Sequence, residues 1–525
     1  MRRRRRPVAE RTTPPYWRAA IAGAPRGALA VAIAAVCLAA AEIPAAWSEA
    51  LERISAGQLK GHVSFLAADA LEGRDTPSRG LDIAAEYIAA QFRSIGLEPG
   101  GDGYFQTAHW QVAGGPPAEL ALTIHAAGRL VRAAAIDLAA HADRAVRLEA
   151  EEPLVVKAGE LDRLRETEVD GKVVAFILSR PGERIGPEEA HRRYSRAGSA
   201  IRGRRPALLL VADPSGYVLD RLRRPRLIDP EDPPRPSFPV IAARGELVAA
   251  AMDEPGLIRL TAGFEPRAPE PVRLKNVVGV LRGAHRELRK TAVLVSAHYD
   301  HLGVKPFGEG DRIYNGANDN ASGVASLIET ARALASLSER PPRSVVFATF
   351  FGEEKGLRGA GYYVRHPVFP LAGTVANINL EQTGRTDSDE GPRIRRAWLT
   401  GFEYSDIGRI LRDAGRGTGV AVEDNPRHGN AYFRASDNLK LAEEGVPAHT
   451  LSVTYGFPDY HRPGDHWDKV DYENMAAVTR LVALGVLRIA SAERPPEWNP
   501  ASRPAEPYRK ARKAPGVPEP ATTVQ

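Results

Sequence analysis

From Leu274 to about Ser491 the chain alternates two textures. Short apolar runs, "NVVGVLRG", "TAVLVSA", "SVVFATFF", "TVANINLE", "RAWLTG" and "HTLSV", read as strands. Between them, "ASGVASLIETARALASL" and "YSDIGRILRDAG" space their apolar positions at three and four and read as helices, as does a closing segment over Tyr472–Ser491. Such alternation predicts an α/β fold: a mixed, mostly parallel sheet sandwiched by helices. Functional residues of such sheets gather at the carboxyl ends of the strands. From Ile54 to about His109 the pattern is helical and then loop-like. "LKGHVSFLAADALEGR" and "GLDIAAEYIAAQFRSIGLEPGG" are the helical pieces, and the second stops at Gly96 and a Pro-Gly-Gly break. Between Ala113 and Pro266 short β-type runs such as "LALTIHA", "GKVVAFIL" and "PALLLVAD" alternate with Pro/Gly-rich and charged loops, the pattern of a separate β-rich module with room for one helix in "ERIGPEEAHRRYSRAGSAIRGRRP". The Pro-rich, polar stretch 492–525 reads as a disordered tail.

Length and charge refine this division. The 525 residues exceed one ordinary core, and the division is 1–46, 47–112 with 267–491, 113–266 and 492–525. The net charge of +6 sits entirely in residues 1–46, which hold eight arginines and two glutamates. The remainder is near neutral, so no nucleic-acid partner is expected. Arg2–Arg6 followed by the apolar run Gly27–Ala41 reads as an export signal, with small residues for cleavage near Ala41 or Ala46. The run is short for a spanning helix, so a membrane enters only if this segment is kept as an anchor. The single cysteine, Cys37, lies inside it, which leaves the body without a disulfide framework or thiol chemistry.

The strand ends carry the chemistry. His298, Tyr299, Asp300 and His301 follow "TAVLVSA"; Asp319 sits in "NGANDNASG", where a helix opens; Glu353 and Glu354 follow "SVVFATFF"; Glu381 follows "TVANINL"; His461 lies in the loop after "HTLSV". Two imidazoles and several carboxylates are the donor set of a borderline metal such as zinc. His298, Asp319, Glu354, Glu381 and His461 number enough for two ions that share one carboxylate. Two such ions, about 3.5–4 Å apart, activate a water and polarise a carbonyl. One of the adjacent glutamates then serves as a ligand and its neighbour as the base. Asp300 is placed to accept the other N–H of the His298 ring. Asp319 also suits a helix N-cap, a role compatible with ligation.

The strings "AHYDHLG", "GANDNASG", "FFGEEKGLRGA", "NINLEQTG" and "YHRPGDHWDKV" resemble, in order and spacing, the motifs of the co-catalytic di-zinc aminopeptidases, whose relatives include glutamate carboxypeptidase, the glutaminyl cyclases and the transferrin receptor. The resemblance spans roughly residues 50–490. It implies a zinc exopeptidase fold with two zinc ions. His298 and Glu381 would hold the first ion, Glu354 and His461 the second, with Asp319 as the bridge. It further implies that Glu353 is the general base and that Tyr460 stabilises the oxyanion. Glu381 stands where the commonest pattern has Asp; it is one methylene longer, so the strand end must retract slightly. The stretch 113–266 resembles the protease-associated domain often inserted in these enzymes, with "VDGKVVAFILSRPG" as its best piece.

The reading that follows is an exported zinc exopeptidase acting on peptides, an aminopeptidase in the first place. A carboxypeptidase, dipeptidase or single-zinc cyclase of the same fold is the alternative. A receptor-like member without catalysis is disfavoured, because every ligand position and the base carry competent side chains. His301, His449 and His466 receive no role. Asp437 is either a helix cap or part of a substrate amine site.

Overall fold

A computed structural model describes residues 43–113, 117–224, 226–232, 238–305 and 309–512. The expected export segment therefore falls, up to residue 42, outside the described residues. A helix over Ala45–Glu52 crosses the expected boundary at residue 46.

A ten-stranded sheet organises the larger part of the chain. Its main strands are β1 (Phe105–Ala113), β2 (Arg226–Ile228), β3 (Glu270–Leu281), β4 (Ala292–His298), β5 (Ser344–Phe350), β6 (Thr374–Leu380), β7 (Arg396–Leu399), β8 (Ala421–Glu423) and β9 (Ala448–Ser452). They lie in the order β2-β1-β3-β5-β4-β6-β9-β7-β8, and the two-residue strand Glu98–Pro99 pairs with β3 off this path. The central four, β5-β4-β6-β9, are mutually parallel, whereas β3 runs antiparallel to β5 and β7 antiparallel to β9. Every residue of β4, β5, β6 and β9 is buried, as expected for parallel strands covered on both faces.

Helices α1 (Ala56–Leu66), α2 (Arg79–Ile95), α3 (Gly323–Ala335), α4 (Arg358–Arg365), α5 (Ile407–Thr418), α6 (Asn438–Glu443), α7 (Tyr472–Ser491) and α8 (Glu506–Ala511) supply the cover. On one face α1, α2, α3, α5 and α7 share a core with β4 to β7; on the other, α4, α6 and α8 pack on β3, β4, β5 and β9. Local sequence sets the helix ends. Ser78 Oγ accepts the Leu81 N–H at 3.0 Å to start α2, and Gly96, at φ +82°, ends it. Helix α7 is long and apolar enough to cross a membrane, yet most of it is buried against α3 and α5 as a core helix.

Three expectations about the larger part of the chain change. The stretch "LKGHVSFLAADALEGR" is not helical to its end: α1 stops at Leu66, and Glu72, Gly73 and Arg74 all take left-handed φ. The part read as loop-like before His109 contains β1. The disordered tail does not hold over 492–512, because Trp498 and Tyr508 are buried against Phe433 and His449 and α8 forms; apolar anchors among the prolines give it a docking face.

Residues 118–265 fold around two further sheets. One has five strands, of which Leu154–Lys157, Val173–Ile177, Leu208–Ala212 and Val240–Ala243 are parallel; the other is four-stranded and antiparallel. Four helices, Leu161–Glu166, Pro187–Ala200, Tyr217–Arg223 and Glu246–Asp253, accompany them, so the module is α/β rather than mainly β. It remains tied to the main sheet: β2 returns from within it to pair with β1.

Candidate metal centre

Because β5, β4, β6 and β9 run parallel, their carboxyl ends share one rim, and the polar residues that follow them converge there. His298 is the last residue of β4 and 1% exposed. Glu381 follows β6 directly, and the next residue, Gln382, takes φ +49°. Glu353 and Glu354 come after Gly352, whose φ of +66° turns the chain sharply out of β5. His461, in the loop after β9, is itself held at φ +53°, a conformation that costs a non-glycine residue about 1–2 kcal/mol.

The distances divide these groups into two sets that meet at Asp319. His298 Nε2 lies 3.4 Å from Asp319 Oδ1 and 3.7 Å from Glu381 Oε1. His461 Nε2 lies 3.2 Å from Asp319 Oδ2 and 3.3 Å from Glu354 Oε1. Donors bound tetrahedrally at the usual zinc–nitrogen and zinc–oxygen lengths stand about 3.4 Å apart. Each set thus has the spacing of a coordination shell, with one Asp319 oxygen facing each. Glu354 Oε1 lies 2.9 Å from His301 Nδ1 and 3.3 Å from His461 Nε2 without a well-formed hydrogen bond to either, as donors turned toward a common cation would. The residues present fit a pair of divalent cations.

The electrostatics point the same way. Burial works against a charged His298 ring, but Glu353, Asp300, Asp319 and Glu381 outweigh it and raise its pKa well above the ordinary value. Burial likewise opposes a charged His461, yet Asp319 and Glu354 lift it to about 10. Burial and the neighbouring carboxylates push Glu353 well up, and burial takes Glu381 to about 7. The cluster has more negative charge than its imidazoles balance, and cations meet that demand.

The supporting contacts differ in part from the sequence reading. His298 Nδ1 is nearer the Asp300 main-chain oxygen, at 3.2 Å, than its Oδ1, at 3.6 Å. The Asp300 carboxylate instead accepts the Glu353 N–H at 3.1 Å and the Thr76 hydroxyl at 3.1 Å, so it ties the turn that carries Glu353 and Glu354 to the loop after β4. Ser436 donates to Glu381 Oε1 and Asn379 Nδ2 to Ser436 Oγ at 2.7 Å. Asp465 is buried and accepts the N–H groups of Asn318 and Asp319 at 3.0 Å, fixing the loop that presents the shared carboxylate. Tyr460 stacks its ring on His461 with centroids 4.0 Å apart and is 39% exposed, at the mouth of a cavity of about 500 Å³ that all seven proposed ligand and catalytic side chains line.

Sequence reasoning missed His301, whose Nδ1 lies 2.9 Å from Glu354 Oε1 and 4.0 Å from Asp319 Oδ2. Its place in "HYDH" was the only signal, and no period governs an irregular loop. Asp437 is fully buried with both carboxylate oxygens unpartnered, and burial raises its pKa well above the usual range. It makes no capping bond to α6. His449 and His466 stand apart, one in the core against Ser405 and Thr400, the other facing Asp311 at the surface.

The model of peptidase family M28 matches residues 276–486. Over those residues the chain is similar to that family. A probable zinc metalloprotease of Leptosphaeria maculans is 32% identical over 215 residues, 38% of this chain and 44% of that protein. Aminopeptidase YwaD of Bacillus subtilis is 26% identical over 231 residues, 42% of this chain and 46% of that protein. The match thus spans less than half the length of these curated relatives. Among solved structures, an aminopeptidase from Aneurinibacillus sp. strain AM-1 superposes with a TM-score of 0.55 at 19% identity, covering 85% of this chain and 96% of that one. A zinc aminopeptidase from Bacillus subtilis gives 0.52 at 20% identity, covering 82% and 94%. These structures share the mixed sheet between helical layers described above.

Proposed function

We propose that this chain is a zinc-dependent exopeptidase, an aminopeptidase that removes N-terminal residues from peptides at a centre for two zinc ions. The observation that carries the reading is Asp319, whose two oxygens face two separate histidine–carboxylate pairs. His298 and Glu381 would hold one ion, His461 and Glu354 the other. Bound there, two divalent cations supply Lewis acidity toward a peptide carbonyl and make a water acidic enough to attack near neutral pH. Glu353 takes the water's proton and passes it to the leaving amine. Its backbone N–H is fixed on Asp300, which holds it beside the cavity. The Tyr460 hydroxyl, at the cavity mouth, donates to the oxygen that gains charge. Arg2–Arg6 and Gly27–Ala41 support export of the protein, and the insert at 113–266 is read as a protease-associated module.

A second reading has one observation in its favour. The cavity lining also includes Arg434 and Lys440, cations suited to a substrate carboxylate, as a dipeptidase or carboxypeptidase needs. One experiment separates the readings. Zinc content is measured for the parent and Glu353→Gln, and hydrolysis is followed on peptides with free, acetylated or amidated ends. The expected result is two zinc ions per chain in both proteins, cleavage that requires the free amine, and a kcat about 10²–10⁴-fold lower in the variant. Cleavage that survives acetylation and is abolished by amidation moves the assignment to the second reading. A Glu353→Gln protein as active as its parent removes the catalytic role.

A further inference from the structure

The centre is braced from behind by four residues that no sequence motif marked and that lie outside the matched segment 276–486: Gly73, Arg74, Asp75 and Thr76. Arg74 is 1% exposed and, among the described residues, makes no ion pair. Its guanidinium is spent on main-chain oxygens. Nε donates to Tyr299 O at 2.8 Å, Nη1 to Asn315 O at 2.7 Å and to Leu66 O, and Nη2 to Gly316 O at 3.0 Å. Tyr299 lies between His298 and Asp300, and Gly316 is three residues before Asp319. One rigid, planar group therefore spans the two loops that present the first histidine and the shared carboxylate. The Arg74 carbonyl accepts the His301 N–H at 3.2 Å, closing the clamp from the other side.

Its neighbours extend the same brace. Asp75 pairs at 2.7 Å with Lys355, the residue after Glu354, and Thr76 holds Asp300, which holds Glu353. The backbone is contorted to allow this. Glu72, Gly73 and Arg74 take φ of +47°, +65° and +50° in succession. A Cβ on Gly73 would lie 2.4 Å from Tyr314 O and 2.7 Å from Gly303 O, so only glycine fits. Left-handed non-glycine residues cost about 1–2 kcal/mol each, and such strain collects where geometry serves function.

We propose that Arg74 is a positioning residue of the metal centre, fixing His298 and Asp319 relative to one another, with Asp75 and Thr76 carrying the restraint to Glu354 and Glu353. This rests on the metal reading above. The fork geometry explains the residue type: four acceptors in different directions match a guanidinium and exceed what the single ammonium of lysine can reach. The charge is also placed to advantage. Burial lowers the Arg74 pKa to about 10, while Asp300, Asp465, Asp319 and Glu354 act to keep the group protonated.

The test uses the full chain, stripped of metal and titrated calorimetrically with zinc, for the parent, Arg74→Lys and Thr76→Val. Circular dichroism establishes that each is folded. The expected result for Arg74→Lys is zinc affinity about 10–100-fold weaker, the usual effect of removing a group that orients ligands, with kcat reduced and KM nearly unchanged. Thr76→Val, which loses only a hydroxyl, weakens zinc in the same direction by less. Parental affinity in both folded variants overturns the proposal. If Arg74→Lys does not fold, parental affinity in Thr76→Val alone overturns it. A parent chain that binds no zinc sinks the metal reading, and this one with it, and is distinguished by that result.

Discussion

His449 is fully buried, its Nδ1–H donating to the Thr400 carbonyl at 2.8 Å and its Nε2 accepting from Ser405 at 2.6 Å. That pairing satisfies a neutral ring and leaves no place for a second proton. Burial lowers its pKa to about 4, although the Thr400 carbonyl acts the other way. The unfolded chain binds a proton at this ring near pH 6.5, whereas the folded chain resists it until about pH 4. Stability from this group is therefore intact above pH 6.5 and lost as pH falls from 6.5 to 4. At pH 5 the loss is about 2 kcal/mol. The metal-free chain and its His449→Asn variant, compared by urea unfolding at pH 7.5 and pH 5, should show the parent's advantage shrinking by that amount. A gap independent of pH would mean the ring is not the group that titrates. The sequence offers His298 and His449 in the same dress, each after an alanine in an apolar run. What separates them is position: His298 closes a parallel strand at its carboxyl end, and His449 is the second residue of one.

The strand-to-turn passage at Gly352 shows how an element aims side chains. Strand β5 ends inside the sheet, and the left-handed glycine swings Glu353 and Glu354 onto the rim. The Arg358 N–H bonds back to Gly352 O at 2.9 Å to lead into α4. An alanine there meets both the φ penalty, about 1–2 kcal/mol, and a Cβ 3.0 Å from the Arg358 Cβ. Gly352→Ala should keep most of its zinc but lose about 100-fold in kcat, because a misplacement near 1 Å of a reacting group costs that much. Parental kcat would show that the turn does not set the base. This element was legible, since a continuous apolar run broken by glycine and two acids marks both a buried strand and the point where it leaves the sheet. Strands β4, β6 and β9 were legible as well, from short runs of apolar and strand-favouring residues rather than from such a break. Strand β1 was not, because "FQTAHWQVA" mixes His, Gln and Thr into its alternation, buries only Gln106, Ala108 and Trp110, and owes its form to its pairing with β3. Nor was the turn at Arg74, where local sequence reads as helix and only the distant carbonyls of Asn315 and Gly316 make the left-handed path worthwhile.

At the scale of the whole molecule, the insert leaves and rejoins the sheet at one place. Val112 and Glu270 are opposite each other in the antiparallel pair β1–β3, and Gln111 faces Pro271. Replacing residues 113–269 by Asn-Gly should therefore close a two-residue hairpin without moving either strand. The shortened chain must keep residues up to 512, because Trp498 donates to Gly445 O at 2.9 Å and Tyr508 packs on Phe433, close to Ser436 and Asp437. Excision has two costs. It removes β2, which covers the outer edge of β1 and leaves that edge free to pair with other chains. It also strips Asp229 and Glu231 from Arg365 and His366, at the end of α4. None of the proposed ligands and none of residues 73–76 is lost. The excised protein should thus bind two zinc ions with near-parental affinity while self-associating more readily, measured by zinc titration and sedimentation. Loss of zinc binding in a folded, monomeric product would mean that the insert completes the centre, and that the brace at Arg74 does not suffice to organise it.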